Sequence, residues 1–393
     1  MSQYTTVIIG GGAAGICAAI MLARAGRQAV ICEKTDRLGR KLAASGNGRC
    51  NLLNDRLGPE FYNAEARVLT DAVFSRFDHD RILEFFHSLG VATWSQDGRV
   101  FPRTNQAATV IKALELELRR LAVPVRTGFD CRSVEGHSGD FQARSADGQT
   151  VRGDRVIIAG GGRTYPAFGA DGSAFSLAAS LGHTINEPAP SAVPLTSRDP
   201  LCHALQGQRI NITARAVIDG RYGQPVAGEL LFTKYGLSGT AVLDVSRELS
   251  IAIHRRGRSD VALEADLVPF LNTEELTAEL TRRRRLGLAP ADLLTGLLPN
   301  KFGPVLAETV VGRPADMASA LKARRFAVTG TRGWNEAEFT AGGVRTDEVA
   351  PETLESRRTQ GVFLAGEVLD VDGQRGGYNL AWAWASGMAV ALS

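Results

Sequence analysis

The first apolar run of the chain, Val7-Ile8-Ile9, carries no polar residue, which predicts a strand buried on both faces. It runs into Gly10-Gly11-Gly12-Ala13-Ala14-Gly15, and the small apolar stretch Ile16 to Ala25 after it predicts a helix. Gln28-Ala29-Val30-Ile31-Cys32-Glu33 predicts a second strand, completing a β-α-β segment. Apolar residues then recur at helical spacing over 65–90, at Val68, Leu69, Ala72, Val73, Phe77, Ile82, Phe85 and Phe86, and again over Ala107 to Leu121. Between them Trp94 to Pro102 predicts a hairpin, with Asp97-Gly98 as its turn. Val123 to Arg152 alternates like a small antiparallel meander, turning at Gly136 to Gly139 and at Asp147-Gly148. A third apolar strand, Asp154 to Ala159, meets Gly160-Gly161-Gly162, and Ala174 to Leu181 predicts a short helix.

From about Ala192 the pattern changes. Leu195 to Val245 is strand-patterned, with turns at Asp219-Gly220 and Tyr222-Gly223-Gln224-Pro225, and reads as a separate β module. Residues 267–323 read as mostly helical, punctuated by prolines. The last sixty residues return to the first character: Gly361-Val362-Phe363-Leu364-Ala365-Gly366-Glu367 is an apolar strand ending in a glycine and an acid, Gly373 to Gly377 is a loop, and Leu380 to Leu392 is an apolar helix.

The first glycine cluster has G-x-G-x-x-G spacing at Gly10, Gly12 and Gly15. Gly10 lets the chain turn, Gly12 admits a pyrophosphate to the backbone, and Gly15 lets the helix pack on the strand. The anion then faces free amides at the positive end of the helix dipole. Glu33, at the end of the second strand, is placed to accept hydrogen bonds from ribose hydroxyls. The Lys34 to Asn54 stretch is rich in glycine and carries Arg40, Lys41 and Arg49, cations suited to phosphate charge. Three strand-then-glycine signals separated by large insertions favour FAD over NAD as the resident nucleotide. FAD is longer and is commonly wrapped by segments from both chain ends. Glu367 and the amides of Gly376-Gly377-Tyr378 would face its ribityl chain or the flavin edge where reduction builds negative charge.

Composition changes this picture little. The chain has 393 residues, 44% hydrophobic and 22% charged, enough for two or three domains. A net charge of +3 does not by itself imply an anionic partner. No apolar run is long enough for a membrane span, and the glycine-broken N-terminal strand is not a signal peptide. Cys17, Cys32, Cys50, Cys131 and Cys202 form no C-x-x-C, so neither a disulfide framework nor a zinc site is expected, and a cytoplasmic location is. The six histidines are dispersed and suggest no metal centre. The Arg282-Arg283-Arg284-Arg285 run reads as a solvated helical face, with RNA phosphates as the alternative.

The chain resembles the BaiN/RdsA group of NAD(P)/FAD-dependent flavoproteins, also called the aminoacetone oxidase family (YhiN-like), nearly end to end. The matching stretches are Val7 to Gly15, Gly39-Arg40-Lys41-Leu42, Ser45 to Asn51, Gly228 to Thr233 with Gly236-Leu237-Ser238-Gly239, Ala341 to Val344, Ala365 to Gly373 and Gly376 to Trp384. The resemblance implies an α/β fold: a discontinuous Rossmann-like FAD-binding domain (1–191 and 335–393), an inserted β-barrel (192–266 and 324–334) and a small helical subdomain (267–323). It implies FAD contacts at Gly10, Gly12, Ala13, Ala14, Gly15, Glu33, Lys34, Arg40, Lys41, Asn47, Gly48, Arg49, Cys50, Asn51, Gly160, Gly161, Gly366, Glu367, Gly377, Tyr378, Asn379 and Leu380. Many members carry His where this chain has Lys234 and Pro where it has Thr240, which marks a subgroup whose substrate need not be that of better-known members.

The resemblance further implies reduction of activated C=C bonds in one branch, on bile acid intermediates, and of uridine in ribosomal RNA in another; an amine oxidase activity belongs to a third. The leading expectation is an NAD(P)H-dependent reductase of an activated double bond in a small molecule, with the nicotinamide donor bound transiently because only one complete nucleotide fingerprint is present. A ribosomal RNA uridine reductase, an amine oxidase and a non-catalytic flavin sensor are the alternatives. Such a reductase needs a proton donor; Tyr235, Thr233 and Cys50 are the candidates, with Ser238 and Tyr165 behind them.

Overall fold

The computed structural model describes residues 3–307 and 312–393. The chain divides into two compact units, Met1–Pro188 with Phe339–Ser393, and Ala189–Glu338.

The first unit is built on a seven-stranded sheet. The opening strand, Gln3–Ile9, is central, as its unbroken apolar run requires, and pairs in parallel with Ala29–Glu33 on one side and Thr150–Ile158 on the other. Val125–Thr127 extends the parallel part beyond Ala29–Glu33. Thr150–Ile158 is long enough to serve two neighbours. Its C-terminal half pairs in parallel with Val362–Leu364, and its N-terminal half pairs antiparallel with Asp140–Ser145, which in turn pairs with Cys131–His137. The expected meander over Val123 to Arg152 is therefore corrected at its start: Val125–Thr127 leaves it for the parallel sheet, because its ladder partner is Ile31–Glu33 rather than the next strand.

The opening helix, Ala13–Arg24, and the closing helix, Tyr378–Ala391, pack against each other. The closing helix is apolar all round, with Trp382 and Trp384 fully buried, the signature of a helix with no solvent face. Gly387 lets it come close: a Cβ there would lie 2.6 Å from the carbonyl oxygen of Ala14. The helical expectation over 65–90 resolves into two helices, Arg67–Phe74 and His79–Ser88. The break falls where Asp78 caps the second one, its carboxylate accepting from the Arg81 N–H at 2.9 Å.

The second unit holds an eight-stranded antiparallel sheet. Arg209–Ile218 pairs with Val226–Thr233 on one side and Val261–Asp266 on the other, and Val226–Thr233 continues into Gly236–Ser238. The strand pattern expected through Val245 stops short. A helix, Thr240–His254, begins there and buries Ala241, Val242, Val245, Leu249 and Ala252. Those residues recur every three or four positions, a period that fits a helix packed on the sheet and not a strand. In the helical stretch, Thr273–Arg285 starts with a capping box between Asn272 and Glu275, and Pro314–Lys322 follows; residues 308–311 of that stretch lie outside the described residues. Among the described residues no helix is long and apolar enough to cross a membrane.

Candidate functional site

The candidate site begins at the glycine turn between the opening strand and helix. Gly10 sits at φ +111°, and a Cβ there would lie 2.4 Å from the Ala159 carbonyl oxygen; one on Gly15 would lie 2.0 Å from the Gly10 carbonyl oxygen. Both positions therefore exclude any side chain. Gly12 differs. Its backbone is ordinary (φ −84°), and a Cβ would meet nothing within 4 Å. The space it leaves open lies at a helix start with no side-chain cap and no acid in its first turn, so the dipole there is uncompensated. The Gly11 N–H donates to Glu33 Oε2 at 2.6 Å, and Glu33 Oε1 accepts from the Thr35 N–H (2.8 Å) and hydroxyl (2.7 Å). The turn thus fixes the orientation of the acid at the end of the second strand.

The other two strand ends are joined to this turn. Gly160 packs against Ala174, where a Cβ would come within 2.9 Å of the alanine methyl, and the Gly161 Cβ direction is open. The Gly366 N–H donates to Ser386 Oγ at 2.9 Å and its carbonyl accepts from Trp382 Nε1 at 3.1 Å. Next to it, Glu367 Oε1 accepts from the Thr340 N–H (2.8 Å), and Oε2 accepts from Lys41 Nζ (2.6 Å), which also donates to the Thr164 hydroxyl. Lys41 and Glu367 are both half-buried, so this pair ties the early loop to the late strand.

The loop itself is a short helix, Arg40–Ala44, and a 3₁₀ turn, Ser45–Gly48, in which Gly46 and Asn47 are left-handed. Gly48 and Cys50 continue in that conformation (φ +81° and +60°). Holding non-glycine residues there costs free energy that the surroundings must repay, a pattern common at ligand sites. Cys50 is fully buried, and burial pushes its thiol up to about 12, so it stays protonated. Asn51 Oδ1 and Arg40 Nε are buried polar atoms with no hydrogen-bond partner among the described residues, as expected of groups that face a ligand. Gly377, at φ +108°, places the start of the closing helix against this loop: a Cβ there would fall 2.4 Å from Leu53 C and 2.9 Å from Asn51 Oδ1. No side chain caps that helix. The Tyr378 carbonyl accepts from the Tyr62 hydroxyl at 2.7 Å, Asn379 bonds the Gly373 backbone twice at 3.0 Å, and Leu380 packs on the core.

The first unit thus brings the three glycine-bearing strand ends and the 40–51 loop together around Ala13 and Ala14 at the first helix start and around the second helix start. Two expected contacts are engaged elsewhere. Lys34 Nζ bonds Asp171 (2.7 Å) and Ser173 (3.1 Å), and Arg49 bonds the amide oxygens of Asn105 and Gln96. Tyr165, at φ +57°, stacks on Phe168 with centroids 5.6 Å apart. Tyr235, Thr233 and Ser238 belong to the second unit. There the Thr233 hydroxyl donates to the Gly236 carbonyl at 3.0 Å, Ser238 pairs with Leu231, and Tyr235 is half-buried with the Arg332 guanidinium 4.5 Å above its ring. Sequence reasoning missed Thr164, Thr340, Ser386 and Tyr62; these hold the site residues through bonds that span 123, 27, 20 and 316 positions and leave no local motif.

Parallel strand ends, a glycine turn, an acid on the neighbouring strand and two uncapped helix starts define a Rossmann-like FAD-binding α/β fold. The chain belongs to the HI0933-like Rossmann-domain family, whose model matches residues 4–393. It is 38% identical over 397 residues to the 3-dehydro-bile acid delta(4,6)-reductase of Clostridium scindens, covering 97% of this chain and 96% of that protein. It is 30% identical to the ribosomal RNA dihydrouridine synthase of Escherichia coli (100% of this chain, 98% of that one) and 29% identical to that of Haemophilus influenzae (100% and 99%). The protein is an FAD-dependent oxidoreductase.

Proposed function

We propose that the protein reduces an activated C=C bond of a small molecule, with NAD(P)H as the electron donor and FAD held in the cradle of the first unit. The observation that carries the reading is the fit of the cradle to a dinucleotide. The open space at Gly12 and the buried, unpartnered Asn51 Oδ1 and Arg40 Nε are features that a bound ligand would complete. The amides at the start of Ala13–Arg24 would bind pyrophosphate, and Glu33 would accept from a ribose. Glu367 would face the ribityl chain, and the amides at the start of Tyr378–Ala391 would hold the edge of the flavin ring. When bound, FAD supplies a ring that accepts a hydride from a nicotinamide and passes one to carbon. The chain's own contribution is to bind and orient that ring, to exclude water and to deliver a proton. Tyr235 is the first candidate for the proton and Thr233 the second. Cys50 is the third; its thiol, pushed up to about 12 by burial, stays protonated at neutral pH. The choice of a small, steroid-like enone over other alkenes is supported by the full-length relative named as a bile acid reductase.

Reduction of ribosomal RNA uridine is the second reading, favoured by the two full-length relatives named as dihydrouridine synthases. Of the four arginines at 282–285, Arg282 and Arg283 are already bound to Glu279, at 2.7 Å each. Anaerobic reduction of the flavin by NADH and by NADPH, followed by reoxidation with enones or with ribosomal RNA, and in parallel aerobic incubation of the oxidised protein with an amine and no nicotinamide, separates the readings. Reoxidation by an enone upholds the proposal. Reoxidation by RNA alone, or peroxide formation coupled to amine loss, refutes it.

A further inference from the structure

Beyond the cradle, one face of the first unit carries cations that its own acids do not neutralise. The hairpin strands Thr93–Gln96 and Arg99–Pro102 set Trp94 opposite Phe101, so both rings lie on one face of the ladder, with centroids 6.4 Å apart. The Arg49 guanidinium lies over Phe101, 4.1 Å from its centroid, and that of Arg103 over Trp94, at 5.9 Å. The result is a row of cation, ring, ring, cation. Arg49 donates to neutral oxygens, Asn105 Oδ1 and Gln96 Oε1, and among the described residues neither arginine makes an ion pair. The nearest acids in sequence serve elsewhere: Asp55 accepts from the Ser95 hydroxyl and lies 3.7 Å from His79, and Asp97 forms the hairpin turn at φ +52°. Trp94 Nε1 is buried with no acceptor.

This row adjoins the cradle. Arg49 is part of the 47–51 loop, and Leu53–Asn54 pairs with Val100 and Arg99 of the hairpin. A guanidinium fork stacked on a ring is oriented before its ligand arrives, and its planar donors match a phosphate. Phe101 is buried beneath Arg49, so the row offers outward its two guanidinium forks and the edge of the half-buried Trp94; a ligand that meets them beside a flavin site carries phosphates and a flat base. We propose that the Arg49–Phe101–Trp94–Arg103 face docks the phosphate-bearing adenosine half of the nicotinamide donor, with the exposed Arg103 taking a phosphate. The inference rests on the NAD(P)H reading above.

The test uses the full, FAD-loaded protein with its flavin first reduced by dithionite, so that no hydride transfer follows, and measures NADPH and NADH binding by calorimetry without oxygen, in Arg103→Ala and Arg103→Gln. Arg103 is exposed, so both variants keep the flavin spectrum and the thermal midpoint. Loss of a charged hydrogen bond weakens nucleotide binding by roughly tenfold or more and flattens its salt dependence. A loss confined to NADPH assigns the contact to the 2′-phosphate, and an equal loss for NADH assigns it to the pyrophosphate; either upholds the site. Unchanged affinity in both variants overturns this inference and leaves the donor reading intact. A wild-type protein that binds neither nucleotide overturns both.

Discussion

Gly12→Ala separates the two jobs of the glycine turn. Gly10 and Gly15 are required by the polypeptide itself, since a Cβ on either would lie within 2.4 Å of a backbone oxygen. At Gly12 the backbone is compatible with alanine and the Cβ position is empty to 4 Å, so the folded protein without cofactor has no reason to reject the methyl. The entropy lost by the unfolded chain favours the variant by about 0.5–1 kcal/mol, and alanine's poorer fit than glycine at a helix N-cap opposes it by about the same amount. The net change in stability is about zero. The methyl would instead fill the space assigned to the pyrophosphate. Overpacking of about 1–3 kcal/mol then weakens FAD binding roughly five- to 150-fold. Thermal denaturation of the apoprotein, together with titration of FAD by fluorescence quenching, gives both numbers. Gly15→Ala is the control: it lowers apoprotein stability, because the clash is with backbone. If Gly12→Ala binds FAD within about twofold of wild type, the pyrophosphate does not lie where the reasoning puts it.

Ser386→Ala leaves the buried Gly366 N–H without an acceptor, and unfolding by denaturant will show a loss of about 1–3 kcal/mol. Tyr235→Phe will lower turnover with an enone while flavin reduction by the nicotinamide keeps its rate; full turnover in this variant removes Tyr235 as the proton donor. In the first unit Glu348 accepts from His183 Nδ1 (3.1 Å), the Thr184 N–H (2.8 Å) and Arg358 (2.8 Å); burial pushes its carboxyl up, but these donors outweigh burial and hold it at about 2. Burial holds His183 below its ordinary value. A depressed carboxyl stabilises the fold above its unfolded pKa, and a depressed histidine does so while neutral. Both contributions therefore fade as pH falls, His183 from about 6.5 and Glu348 from about 4.5 to about 2. Glu348→Gln is destabilised by roughly 2–3 kcal/mol at pH 7 and approaches wild type only toward pH 2, as denaturant unfolding at each pH will show.

The parts of the site that the sequence made legible are those where local geometry restricts residue type. A strand end that turns against another backbone tolerates only glycine, so Gly10 and Gly15 announce themselves. The helix Thr240–His254 is masked in the sequence because Val242 and Val245 continue the β-branched composition of the strands before it. Val125–Thr127 was misplaced because three residues cannot declare which distant strand they join. Lys41 and Glu367 are legible as a loop cation and as the acid closing an apolar strand, and Asn51 through the resemblance. What they touch was not readable, since Thr164 and Thr340 matter only once the chain has closed.

That closure carries a consequence for biosynthesis. The Cys17 thiol donates to the carbonyl of Trp384, 367 positions away, so a ribosome must have made the Tyr378–Ala391 segment before the nucleotide pocket has its second wall. Bringing such distant partners together is slow and entropically costly. Until then the nascent β-α-β start exposes an apolar surface that belongs against that helix, and flavin capture has to wait for it.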